Sequence, residues 1–133
     1  MILDVLTYLK ADTALDALLG ASGSNSKIYP NQAPQQTALP YITYDIDGDG
    51  TFEENLSEVT VSFDCVSDEY LVVRALRDRL VTLLDKQDKI RDFVTSTGYY
   101  FYWCKNRNGE DLKEPKQDYF HKQLVFDFKY AKK

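Results

Sequence analysis

Asp45-Ile46-Asp47-Gly48-Asp49-Gly50 is the stretch whose residue types come nearest to a chemical motif. Carboxylates at alternate positions followed by glycine open an EF-hand loop, where hard oxygen donors surround calcium. Asp45, Asp47 and Asp49 are therefore the candidate metal ligands. Phe52 supplies an apolar position 8, and Glu53 or Glu54 could complete the set. Position 12, where the motif needs a bidentate Glu, is Leu56, and the preceding segment has the periodicity of a strand rather than a helix. The competing expectation is a plain turn over 47–50, because Asp and Gly both tolerate left-handed backbone.

Other reactive residue types are sparse. His121, the single histidine, falls on the polar phase of the last strand, and no GxSxG or comparable nucleophile context accompanies it. Surface or sheet-edge placement is expected. Asp64 can face Asp68 or Glu69 across a strand–helix junction, and paired acids do acid–base work when burial separates their pKa values. These acids sit at a cap and on a solvated strand face, where capping and solubility explain them, so no catalytic residue, no cofactor and no enzyme activity are expected. Cys65 and Cys104 lie inside apolar strand patterns, which predicts two small buried hydrophobes in a reducing compartment. A disulfide between neighbouring strands stays open as the alternative. Two Cys, one His and no CxxC do not make a zinc site.

The 133 residues fit a single domain, 1–133, with 44% hydrophobic content. A net charge of −5 works against free DNA or RNA as the main ligand, since phosphate binding needs clustered Lys and Arg. No apolar run approaches the ~20 residues of a membrane span. The opening Met-Ile-Leu-Asp has no basic n-region, so neither a membrane partner nor a signal peptide is expected.

The elements that must position these residues follow from periodicity. Ile2, Val5, Leu6 and Leu9 share one helix face, and Leu15, Leu18 and Leu19 another. Asp12 or Thr13 caps the second helix and Gly20 stands where a C′ glycine belongs. After a polar loop, Lys27–Pro30 reads as a short edge strand stopped by its proline. Tyr41–Ile46 alternates, with Ile42, Tyr44 and Ile46 inward. Val59, Val61, Phe63 and Cys65 do the same in the next strand, making a long-looped hairpin. Ser67 is the expected N-cap of a helix carrying Val72, Val73, Leu76, Leu80, Leu83 and Leu84.

Ile90–Val94 reads as a short strand. In Tyr99–Cys104, plain alternation puts Tyr99, Phe101 and Trp103 on one face and Tyr100, Tyr102 and Cys104 on the other. A sheet covered on one side would then expose aromatic residues, as interfaces do. Internal cover by the N-terminal helices is the alternative. Lys105–Gln117 reads as a long loop, and Tyr119–Tyr130 as the last strand with Phe120, Leu124, Phe126, Phe128 and Tyr130 on one face. The order α-α-β-β-α-β-β predicts an α+β fold, with an antiparallel or mixed β-sheet of about four main strands and helices packed mainly on one face.

An ordered set of segments resembles the tail-completion, or tail-terminator, family of long-tailed bacteriophages. Ala11–Gly20 resembles its opening helix. Ile28-Tyr29-Pro30, Ala33-Pro34 and Leu39-Pro40-Tyr41-Ile42-Thr43-Tyr44 are similar to its strand entry, and Val59–Leu84 to its strand–helix unit. The similarity runs over residues 11–85. Residues 86–133 fit the β-rich second half in type only.

The resemblance implies a structural virion protein in the neck region of the tail, assembled in the host cytoplasm. It implies a ring, commonly of six subunits, that caps the tail tube and joins the tail to the head-side connector. The implied partners are further copies of itself, the tail-tube protein and the head-side connector or stopper protein. DNA would pass through without specific binding, which an acidic chain suits. The expected subunit or partner contacts are Tyr100, Tyr102, Lys105, Asn106, Arg107 and Asn108. Another head–tail connector component, such as a stopper or minor capsid protein, is the nearest alternative, and a small calcium-binding module the more distant one.

Overall fold

The structure, a computed structural model, describes residues 2–20, 27–34, 38–53, 56–86, 93–107, 111–114 and 119–133; for 48–53, 56 and 111–114 it describes the backbone alone. The elements in chain order are α1 (Ile2–Lys10), α2 (Thr13–Leu18), β1 (Ile28–Pro30), β2 (Tyr41–Glu53), β3 (Leu56–Ser67), α3 (Tyr70–Leu84), β4 (Tyr99–Arg107), β5 (Asp111–Glu114) and β6 (Tyr119–Lys132). The fold is α+β, as the periodicity predicts.

One six-stranded mixed sheet runs β1-β2-β3-β6-β4, with β5 also pairing β6. Among the described residues, only the β1–β2 pair is parallel. The expected four main strands are thus joined by two short ones. β1 covers β2 only from Ile42 to Tyr44. Pro30, which has no N–H to give, ends it, and the Asn31 N–H takes the Tyr44 carbonyl at 2.8 Å.

The core forms on one face of this sheet. Val59, Val61, Phe63 and Cys65 of β3 align with Leu124, Phe126 and Phe128 of β6, and Phe63 meets Phe126 edge-on at 5.8 Å. Val73, Leu76, Leu80, Leu83 and Leu84 recur at helical spacing on α3 and are buried against that face. Val5, Leu6 and Leu9 of α1, Leu15 of α2 and Leu19 just after it join the same cluster. The three helices therefore share one face.

Directed bonds fix the helical layer. The Tyr8 hydroxyl donates to the Leu83 carbonyl at 2.8 Å. Asp12 caps α2 by accepting the Leu15 N–H at 2.8 Å, and its two oxygens accept from the Arg79 guanidinium at 2.9 and 2.6 Å. Gly20 follows with φ +66°, the left-handed position expected of it. Ser96 Oγ accepts the Gly98 and Tyr99 N–H groups at 3.1 Å and donates to Asp4 at 3.0 Å, tying the entry of β4 to α1.

Several sequence expectations need correction. β2 does not stop at a turn over 47–50; it continues to Glu53, with a register irregularity between Asp47 and Asp49. Pairing to β3 overrides the local turn preference of Asp and Gly. α3 begins at Tyr70 rather than just after Ser67, whose hydroxyl instead accepts the Glu69 N–H at 3.1 Å. Lys105–Arg107 extend β4, and Asp111–Glu114 pair with β6, so the expected loop 105–117 is largely strand in its described part. Of the expected strand Ile90–Val94, the described residues Phe93 and Val94 have no strand structure; Val94 is buried in the core instead.

Candidate interaction surface

The sheet face opposite the helices is built from the alternate residues of the same strands. Register places Asp45, Ser62, Val125 and Arg107 in one row across the sheet, and Asp47, Thr60, Asp127 and Lys105 in the next. Glu58, Lys129 and Trp103 form a third row, and Thr43, Asp64 and Gln123 a fourth on the other side. Charge is segregated along these rows. β2 and β3 carry Asp45, Asp47, Glu58 and Asp64, whereas β4 and β6 carry Lys105, Arg107 and Lys129 with the single acid Asp127.

Asp127 is held by its neighbours. Thr60 donates to it at 2.7 Å, and Arg107 Nε lies 3.5 Å away. Ser62 donates to Asp47 over a longer 3.3 Å. Asp64 is half-buried with Oδ1 lacking a hydrogen-bond partner. Burial pushes its carboxyl above the usual range, while nearby His121 lowers it and Asp45 raises it further.

The aromatic strand differs from plain alternation. β4 carries a bulge between Phe101 and Trp103, so Phe101 pairs with Tyr130, Trp103 with Lys129 and Cys104 with Phe128. Phe101 and Cys104 are thus both in the core, and Tyr100 and Trp103 lie on the face away from the helices. The extra residue, Tyr102, shifts the phase, because one unpaired residue moves everything beyond it to the opposite face. A bulge carries no periodicity of its own, which is why Trp103 was not expected on the open face.

Among the expected contact residues, Tyr100, Lys105 and Arg107 lie on this face and are exposed, and Tyr102 is the half-buried bulge residue. Asn106 sits in the opposite phase, paired with Phe126, and its N–H donates to Asp85 at 3.2 Å. Asn108 lies outside the described residues. Asp45 and Asp47 share the open face and are exposed, whereas the side chain of Asp49 is outside the described part. The loop geometry needed for calcium is replaced by strand backbone. Among the described residues, no three His, Cys, Asp or Glu side chains gather as metal ligands do.

Asp68 and Glu69 are exposed in the approach to α3, separate from Asp64 in β3. His121 is half-buried in β6, opposite Val66. Cys65 and Cys104 are buried free thiols, pushed well above their ordinary pKa by burial. No helix among the described residues is long and apolar enough to cross a membrane.

Comparison with curated proteins finds no match. Among solved structures, a chain from the "Virion of native gene transfer agent (GTA) particle" superposes with a TM-score of 0.70 at 19% identity, covering 96% of this chain and 91% of that one. Its likeness is one of fold. The family model described as "Tail completion protein gp17" matches residues 4–131, nearly the whole chain. The chain therefore belongs to the tail completion protein gp17 family and is a structural protein of the virion tail.

Proposed function

We propose that the protein closes the finished tail tube as a ring, commonly of six copies, and joins the tail to the head-side connector without catalysing a reaction. The observation that carries this reading is the family match over residues 4–131. The fold is compatible with it. All three helices cover one sheet face, and the other presents side chains of both charge signs in separate areas, a surface suited to protein contacts. The net charge of −5 suits a passage that DNA must slide through. That a chain of this fold belongs to a gene transfer agent virion agrees with a place in a phage-like particle.

The test is addition of the purified chain to polymerised tail tubes, viewed by negative stain. Capped tube ends are the expected result. Bare tube ends would overturn the reading, and binding to isolated head-side connectors alone would favour a stopper-type component instead.

A further inference from the structure

The exposed large hydrophobic residues include Ile46 and Tyr100, each 42% accessible, on opposite sides of the same sheet. Ile46 on β2 is flanked in sequence by the exposed acids Asp45 and Asp47. Tyr100 is the second residue of the strand that carries Lys105 and Arg107, and the Lys133 ammonium lies 5.0 Å from its ring centre. Alternation sends Ile46 to the helix side of β2 and Asp45 and Asp47 to the open face, so on the open face β2 offers negative charge and β4 positive charge.

The two edges also differ in their backbone. β1 ends opposite Tyr44, so the outer side of β2 has no partner strand among the described residues from Asp45 onward. On the outer side of β4, Lys86 bridges Cys104 through bonds of 2.9 and 3.1 Å, and Asp85 takes the Asn106 N–H. Strand addition at β4 is blocked there, which leaves its side chains on the open face as the means of contact.

We infer that copies of this chain join head to tail, Asp45 and Asp47 at the β2 edge of one seating against Lys105 and Arg107 on the open face of the next. The inference rests on the ring reading above and names the surfaces that close it. Opposite charge sets the register, because two acids at alternate positions of β2 meet two bases at alternate positions of β4. Arg107 keeps donors available beyond Asp127, because its side chain is 58% accessible and the 3.5 Å pair engages only Nε. The contact joins two different surfaces, so each copy keeps one of each for its other neighbour, the condition for a closed ring.

The test uses charge reversal in the full chain, read by sedimentation velocity and by tube-end binding. Asp45→Lys with Asp47→Lys, and separately Lys105→Glu with Arg107→Glu, should each raise the concentration needed for assembly at least about tenfold. An equimolar mixture of the two variants should restore it, because every junction in an alternating ring is again complementary. Rescue on mixing separates a broken contact from a broken fold. If either double variant melts early, the single reversals at the exposed Asp45 and Lys105 serve the same test. Variants that assemble as the wild type does, or a mixture of folded variants that stays unassembled, overturn the inference and leave the ring reading standing. A wild-type chain that assembles neither alone nor on tubes overturns both.

Discussion

Asp12 performs two jobs with one carboxylate. It caps α2 through the Leu15 N–H and grips Arg79 of α3 through both oxygens, so it joins two helices that are far apart in sequence. The Arg79 hydrogen bonds hold its carboxyl below the ordinary value, burial opposes them, and the Leu15 N–H lowers it further. A depressed carboxylate stabilises the fold above its unfolded pKa and loses that contribution as pH falls through the folded value. Asp12→Ala should cost about 1–2 kcal/mol, chiefly the lost cap, with the ion pair adding little where solvent screens it. Urea unfolding should show that difference at pH 7, and it should shrink as the pH falls below 3.8, the carboxyl's ordinary value, toward the folded one. The same scale explains the acidic stretch that resembled a calcium loop. Asp45 and Asp47 project from a strand at alternate positions, which spreads them along one face instead of wrapping them round an ion.

At the scale of elements, the bulge at Tyr102 decides which aromatic residues are core. Removing Tyr102 should leave a regular pairing in which Phe101 still faces Tyr130 and Cys104 still faces Phe128. The deletion should therefore change stability by within about 1 kcal/mol, and a thiol reagent should find both cysteines protected in the native wild type and in the variant. Rapid labelling of Cys104 in the native wild type would instead restore plain alternation. The strands β2, β3 and β4 show why this much was legible and no more. Alternation identified the inward residues of β3 and β6 because a covered face demands it. It gave no length for β2, since a charged edge strand carries no burial signal at Asp47–Gly50. Register with β3, a long-range interaction, supplied what local preference opposed.

For the whole molecule, the useful quantity is the distribution of charge rather than its sum. A net −5 predicts that the chain leaves duplex DNA unretarded in a gel at physiological salt, and a clear shift there would contradict it. The separation of acids on β2 and β3 from bases on β4 and β6 makes assembly sensitive to ionic strength. Between about 0.1 and 1 M salt the screening length falls from about 10 to about 3 Å. Self-association should weaken over that range if the charged edges guide it, and strengthen if apolar burial alone holds the copies together.

The amino-acid sequence by itself determined the helices, the hairpin, the inward phase of β3 and β6, and a family resemblance centred on residues 11–85. All of these rest on local periodicity, capping chemistry and the order of short segments, which the chain carries wherever it folds. Tertiary structure decided the reach of β2, the bulge at Tyr102 and the entry of 105–107 into a strand. Those features depend on which strand lies beside which. From that pairing comes the surface that matters most here, with Asp45 and Arg107 in one row of the sheet although they are far apart in the chain.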